Sequence, residues 1–210
     1  MGAPTRVLVA DAHPLVRLAV RHVLSQDAAF EVIAEAGSVL DAVRYIAEVP
    51  RRTDLIVTGM SFPDGSGATL VERSQGERPP VPVLVLSAKG AGSPAFAASV
   101  LRAGAAGFVP KTASPESVLR AVQRVARGGR VVPEDVVDRL YERRREGDAL
   151  SMRELDVLRL LAGGMDSAEI GRALNLSAST VRTYRHRVRE KLGLGTVAEL
   201  TRYAVQEGIA

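Results

Sequence analysis

Short apolar runs alternate with amphipathic stretches over the first 128 residues of the chain. Continuous runs of Val, Leu and Ile predict buried strands, and apolar residues that recur every three or four positions predict helices. Strands are predicted at 6–10, 30–36, 54–59, 81–87 and 107–111, and helices at about 14–26, 39–48, 67–74, 94–103 and 115–128. Strands that alternate with helices through short loops predict an α/β fold, with a parallel sheet covered on both faces.

Only helical patterns follow residue 150. Four helices are predicted, in the segments SMRELDVLRLLAGG, DSAEIGRALNL, SASTVRTYRHRVREKLGL and TVAELTRYAVQEGI. Ser151 with Glu154 fits a capping box at the start of the first of these helices, and Thr196 with Glu199 fits one at the start of the fourth. The pattern therefore predicts an α/β domain over 1–128, a linker with a short charged helix over 129–149, and an all-α domain over 150–210.

Composition narrows the chemistry available to the chain. The sequence has 210 residues and no cysteine, which excludes disulfides, thiolate catalysis and cysteine-based zinc sites. No apolar run approaches the ~20 residues of a membrane-spanning helix, and the first residues lack a signal-peptide pattern, so we expect a cytoplasmic protein. The three histidines have no metal-ligand spacing, and no nucleophile–base pair is evident. We therefore expect no enzymatic activity and no metal site.

Positive charge is concentrated on one predicted helix. The net charge is +4, and within 179–192 five basic residues face the single acid Glu190. One side of this helix is predicted to carry the apolar residues Val181, Tyr184, Val188 and Leu192, and the other the residues Thr180, Arg182, Thr183, Arg185, His186 and Arg189. An Arg-rich helix face suits the DNA major groove. A charged surface helix in a bundle is the alternative, and charge alone does not separate the two.

The segment LSMRELDVLRLLAGGMDSAEIGRALNLSASTVRTYRHRVREKLGL resembles the LuxR-type helix-turn-helix domain over its whole length. The resemblance implies a support helix at 168–175, a recognition helix at 178–192, and a last helix at 196–206 through which two copies pair on DNA. It places Arg182, Thr183 and His186 towards bases, and Thr180, Arg187 and Lys191 towards phosphates, with Arg185 on the same polar face. The implied partner is double-stranded DNA, bound by a homodimer at an inverted repeat.

The segments VADAHPLVR, PVLVLSA and GAAGFVPK resemble the receiver domain of the NarL/FixJ response-regulator family. That resemblance implies a doubly wound, flavodoxin-like sheet of five parallel strands in the order 2-1-3-4-5. A competent receiver carries two acids after its first strand and an aspartate at the end of its third, which together bind magnesium and accept a phosphoryl group. Hydroxyl and ammonium groups after the fourth and fifth strands hold that group.

These positions are only partly kept in this chain. The first acid is Asp11, but the second is Ala12 and the acceptor position is Gly59. The hydroxyl is kept as Ser87, the lysine as Lys111, and the aromatic residue that switches in such receivers as Phe108. The resemblance therefore implies an atypical receiver that is not phosphorylated at the usual site, and we expect no cofactor and no magnesium ion.

Several alternatives remain open at this point. Asp64 could replace the acceptor, although its Pro-Asp-Gly-Ser-Gly context is first of all a turn composition. Lys111 could form an ion pair with Asp11 in the emptied pocket. We expect a transcriptional regulator controlled independently of phosphorylation. The competing hypotheses are a small metabolite bound in the vacated pocket, and a receiver that serves only for dimerisation or protein interaction.

Overall fold

A five-stranded parallel sheet is the centre of the N-terminal part of the chain in the computed structural model. The long strands are β1 (Thr5–Ala10), β2 (Phe30–Ala36), β3 (Leu55–Gly59), β6 (Val83–Ser87) and β7 (Gly107–Pro110). Their order is β2-β1-β3-β6-β7, and all neighbours pair in parallel. Counted over the long strands, this is the predicted order, so the α/β prediction is confirmed.

The structure describes residues 3–48, 52–77, 79–87, 94–134, 136, 150–206 and 209. Residues 1–88 and 104–132 group into one compact unit, and residues 89–103 and 133–210 into another. The helices preceding residue 132 are α1 (Pro14–Ser25), α2 (Val39–Glu48), α3 (Ala68–Gln75), α4 (Pro94–Arg102) and α5 (Pro115–Ala126). In this division helix α4 groups with the second unit.

The core of the sheet unit lies between the strands and the helices α1 and α5. Alternate residues of a strand point to opposite sheet faces, so Val7 and Val9 of β1 share one face. They belong to a buried cluster with Leu24 of α1 and Val122 and Val125 of α5. Helix α5 begins where the sequence predicts, because the Ser114 hydroxyl accepts a hydrogen bond from the Ser117 backbone N–H and Pro115 occupies the first turn.

A two-stranded antiparallel hairpin follows β3 directly. It consists of β4 (Ser61–Phe62) and β5 (Gly65–Ser66). The sequence predicts only a turn there, because Pro, Asp, Ser and Gly dominate the segment. The hairpin was missed because each of its strands is only two residues long.

Four helices form the C-terminal part of the second unit: α6 (Met152–Ala162), α7 (Ser167–Leu174), α8 (Ala178–Leu192) and α9 (Val197–Gln206). The predicted capping boxes at Ser151 with Glu154 and at Thr196 with Glu199 are present. A third box, formed by Asp166 and Glu169, starts α7 and was not predicted. The charged helix predicted within 129–149 falls largely outside the described residues.

The turn between α7 and α8 depends on a close backbone approach. A Cβ atom at Gly171 would lie 2.7 Å from the carbonyl oxygen of Leu176. Only a glycine therefore allows the backbone of α7 to approach the Leu176 carbonyl this closely. The Leu176 N–H in turn donates to the Gly171 carbonyl at 2.8 Å. Asn175 completes the turn in the left-handed region with φ of 55°. This geometry fixes the direction in which α8 leaves α7.

Candidate nucleic-acid interface and receiver pocket

Four strand ends meet at one edge of the sheet, as the carboxyl ends of parallel strands must. Asp11 follows β1, Gly59 ends β3, Ser87 ends β6 and Lys111 follows β7. The Lys111 backbone N–H donates to the Ser87 carbonyl at 2.8 Å. The structure therefore brings together the residues predicted to form the receiver pocket.

Asp11 is the centre of this pocket. Its side chain is buried, and its Oδ2 atom lies 2.5 Å from the Nζ atom of Lys111. Its Oδ1 atom accepts a hydrogen bond from the His13 backbone N–H at 2.9 Å, with the His13 ring nitrogen at 3.1 Å. A buried carboxylate without a partner is costly. The ion pair with Lys111 and the bond from His13 offset that cost.

Gly59 lies directly against this carboxylate. A Cβ atom at residue 59 would come within 2.9 Å of the Asp11 Cγ atom, and closer still to its Oδ2 atom. The same Cβ atom would lie 3.5 Å from the Lys111 Nζ atom. The Asp11 carboxylate thus occupies the space in which a side chain at residue 59 would begin, and the ion pair with Lys111, one of the alternatives left open by the sequence, is present.

The remaining pocket residues lie around this ion pair. Ser87 and the aromatic Phe108 are buried at 4% and 1% exposure, on the neighbouring strands β6 and β7. Ala12 is half-buried beside Asp11. Since neither Ala12 nor Gly59 carries a side-chain oxygen, Asp11 alone of the three predicted acid positions offers a carboxylate.

Asp64, the alternative acceptor, binds the start of helix α2. Its carboxylate oxygens accept hydrogen bonds from the backbone N–H groups of Val39 at 2.9 Å and Leu40 at 2.8 Å. These are two of the free donors at the start of α2, so Asp64 caps that helix from the β4–β5 turn. Its two oxygens are engaged in the fold.

Helix α8 exposes a polar surface. Val181 and Val188 are buried, whereas the predicted base-facing residues Arg182, Thr183 and His186 are exposed. Tyr184, predicted on the apolar side, is only half-buried. The helix therefore has the predicted amphipathic form, with Tyr184 at the border between its two faces.

Two of the predicted DNA-contacting cations have partners inside the fold. The Nζ atom of Lys191 lies 2.7 Å from the Oε2 atom of Glu154, which joins α8 to α6. The Arg185 guanidinium donates to the Ser167 hydroxyl at 2.8 Å and joins α8 to the first turn of α7. These contacts could not be predicted from sequence spacing, because Lys191 and Glu154 are 37 positions apart.

The Glu154 carboxylate is stabilised in its ionised form. Burial alone would raise its pKa, but hydrogen bonds from the Lys191 ammonium and from the Ser151 backbone N–H outweigh burial and hold the pKa below its ordinary value. The same carboxylate closes the capping box of α6. Glu154 thus fixes both the start of α6 and the position of α8.

The other polar residues of α8 differ in their partners. The Nε2 atom of His186 lies 3.5 Å from the Oε1 atom of Glu190. Because both side chains are exposed, this ion pair is weak. The Thr180 hydroxyl contacts the capping Ser177 hydroxyl at 2.8 Å. Arg182 and Arg187 have no carboxylate partner among the residues that the structure describes, so these two exposed guanidinium groups carry uncompensated charge.

Two protein-family models match the chain. The response regulator receiver domain matches residues 7–123, and the luxR family of bacterial regulatory proteins matches residues 148–204. The chain belongs to the NarL/FixJ family of response regulators. Transcriptional regulatory protein MctR of Rhizobium johnstonii is 34% identical to this response regulator over 208 residues, covering 97% of this chain and 94% of that protein.

Solved structures of RcsB are similar to this response regulator over nearly its whole length. RcsB from Salmonella enterica serovar Typhimurium, bound to promoter rprA with the phosphomimetic BeF3-, has a TM-score of 0.72 and 27% identity, covering 95% of this chain and 98% of that one. A structure of two RcsB dimers bound to two parallel DNAs has a TM-score of 0.61 and 27% identity, covering 97% and 98%. This response regulator is accordingly a DNA-binding transcription factor. None of its described helices has the length and apolar character to cross a membrane.

Replacement of Gly59 by alanine is expected to lower the free energy of unfolding by about 1–3 kcal/mol, because the new methyl group must displace a buried, paired carboxylate. Gly65→Ala is the matched control, since a Cβ atom there lies 3.6 Å from Val39, an ordinary contact. In the double variant Asp11→Ala/Gly59→Ala the methyl group no longer meets the carboxylate, so the two effects should not add. Urea denaturation measures the free energy of unfolding of each variant. Equal stability of Gly59→Ala and the native chain would contradict the packing described.

The Glu154–Lys191 pair predicts a pH-dependent stability. Because the folded pKa of Glu154 lies below its ordinary value of 4.5, the ionised carboxylate stabilises the fold above that pH, and the contribution is lost as the pH falls through the folded pKa. The native chain should therefore be more stable than Glu154→Gln near neutral pH, with a difference that shrinks in acid. Urea denaturation over a pH series tests this, with the exposed Glu190→Gln as control. A difference that is constant with pH would count against the ion pair.

Proposed function

We propose that this response regulator binds an inverted-repeat operator as a homodimer, and that its receiver acts without phosphorylation. The observation that carries the proposal is the Asp11 carboxylate, which is paired with Lys111 and occupies the side-chain space of residue 59. In the receivers that this chain resembles, the lysine meets a phosphoryl group. Here a residue of the chain already supplies the anion.

The donor set of the pocket does not fit the magnesium ion that the fold family implies. Magnesium requires near-octahedral oxygen ligands and is held in such sites by carboxylates. Of the three acid positions only Asp11 has a carboxylate, and its charge is balanced by Lys111. Asp64 cannot be recruited without uncapping α2. These contacts support control that is independent of phosphoryl transfer.

The exposed face of α8 supports sequence recognition in the DNA major groove. We assign base contacts to Arg182, Thr183 and His186, which are exposed together on this face. Thr180 and Arg187 are assigned to the DNA backbone. Arg185 and Lys191 are assigned to positioning α8, since both already bind neighbouring helices.

Helix α9 is the proposed contact between two copies. Leu200 and Ala204 are buried on its inner side, whereas Val197 and Val205 remain 38% and 61% exposed. Val197, Thr201 and Val205 are spaced four residues apart and therefore follow one side of the helix. The RcsB structure that contains dimers on DNA supports a second copy as the occupant of this surface.

No phosphate should be transferred to the native chain from acetyl phosphate and magnesium. The Gly59→Asp variant should take up little phosphate, because the new side chain meets Asp11 and residue 12 still offers no metal ligand. The double variant Ala12→Asp/Gly59→Asp should take up more phosphate, because the metal would then have additional carboxylate ligands. Intact-mass spectrometry measures the added phosphate. A phosphorylated native chain, with the group mapped to Asp11 or Asp64, would overturn the proposal.

Arg182→Ala should weaken binding to the preferred operator by roughly 1–3 kcal/mol, with a much smaller effect on unrelated DNA, because a base contact is lost. The operator is obtained by selection from a random pool of duplexes with the native chain. Arg127→Ala removes an exposed arginine from the other unit and serves as control. Fluorescence anisotropy measures both affinities. An unchanged operator affinity for Arg182→Ala would exclude this side chain from base recognition.

Val205→Glu should prevent two copies from binding an inverted repeat together, because a charge would be buried in the proposed contact. Binding to a single half-site should be unaffected. The control is Leu40→Glu, an equally drastic change at a leucine of α2 that is 52% exposed. Analytical ultracentrifugation of the protein–DNA complexes gives the stoichiometry. Two copies bound by Val205→Glu with native affinity would remove α9 from the dimer contact.

A further inference from the structure

A depression of about 320 Å³ lies along one flank of α8. Its lining residues are Ser179, Thr180, Thr183, Tyr184 and Arg187. Successive residues of an α-helix are about 100° apart around the axis, so Arg187 points about 140° away from Arg182. The two arginines, which lack a carboxylate partner within the described residues, therefore flank the exposed ridge formed by Thr183 and His186, one on each side.

The hydroxyl groups of this depression are held in place by the chain. The Thr183 hydroxyl donates to the Ser179 carbonyl at 3.2 Å. The Thr180 hydroxyl is 2.8 Å from the Ser177 hydroxyl, which is itself 2.7 Å from that of Ser179. Because these side chains are fixed by local bonds, one wall of the depression is formed before any ligand arrives.

Tyr184 and Arg187 form the other wall. The central guanidinium carbon of Arg187 lies 6.0 Å from the centroid of the Tyr184 ring, within the range of a cation–π contact. Lys191, one turn further on, has its charge balanced by Glu154. Arg187 has no such carboxylate among the described residues. The aromatic ring thus limits the orientation of a guanidinium whose charge is left for an external anion.

The position of this depression selects the kind of anion. An α-helix with side chains is about 10–12 Å across and the major groove is about 12 Å wide, so a helix in the groove presents its ridge to the bases and its flanks to the backbone walls. Guanidinium groups bind phosphate oxygens through paired N–H donors. The ring and the threonine methyl groups offer an apolar surface to a deoxyribose.

We propose that the part of the depression formed by Ser179, Thr180, Tyr184 and Arg187 binds one sugar–phosphate unit of the DNA backbone, with Tyr184 acting as the platform that orients Arg187. The inference rests on the proposed entry of α8 into the major groove. It gives Tyr184 a role in binding, in place of the core position that its sequence spacing predicts. It also assigns the contact to affinity for any sequence, whereas Arg182 serves selectivity.

Four variants separate the parts of this site. Arg187→Ala should weaken binding about three- to tenfold, equally on operator and unrelated DNA, and should lower the slope of log affinity against log salt by about one for each bound copy. Tyr184→Ala should cause a large share of the same loss, although it removes no charge. Tyr184→Phe should bind like the native chain, because it keeps the ring. Arg127→Ala, which removes an exposed arginine from the other unit, is the matched control and should leave the slope unchanged.

The experiment is a salt series of fluorescence-anisotropy titrations with the full chain, on the selected operator and on a scrambled duplex of equal length. Circular dichroism melting verifies that each variant is folded, and Arg187→Gln serves as a second removal of charge if Arg187→Ala melts early. A loss confined to the operator would turn Arg187 into a base contact and overturn the proposal. So would an unchanged salt slope in both Arg187 variants, or an equal loss in Tyr184→Phe and Tyr184→Ala. If the native chain itself bound neither duplex, the proposed function would fail instead.

Discussion

The ion pair between Asp11 and Lys111 is the constraint on which the receiver pocket depends. It joins the end of β1 to the end of β7 and lies at the edge of the sheet where the other strand ends converge. Such a pair is stable only when both charges are balanced and the remaining oxygen lone pairs are used, a condition that His13 helps to meet. The lack of a side chain at Gly59 leaves the necessary space.

In the second unit, a division of charge along α8 has a comparable importance. Lys191 and Arg185 bind Glu154 and Ser167 and thereby fix the helix against α6 and α7. Arg182 and Arg187 remain without carboxylate partners in the described part of the chain. The basic residues of a single helix are thus divided between holding the helix in position and offering charge to a ligand. Their number alone does not reveal this division.

Much of the fold could be predicted from local patterns, because those patterns reflect local physics. The strands were predictable from continuous apolar runs, and the starts of α5, α6 and α9 from their capping residues. The β4–β5 hairpin was not, since two-residue strands leave no periodicity. The contacts of Asp64, Lys191 and Asp11 could not be predicted from the spacing of residues in the sequence either, because each contact joins residues that are distant in the chain. For Asp11 and Lys111 the family resemblance supplied the proximity, and the ion pair could be stated only as one of several alternatives.

The space at Gly59 also bears on how such a receiver can change over evolutionary time. An aspartate introduced there meets the Asp11 carboxylate at once. An acid introduced first at Ala12 places a second negative charge beside a carboxylate whose cation is already committed to it. Each acid introduced alone at one of these two positions therefore begins with a cost in stability. The ion pair thus opposes either acid when it is introduced without the other.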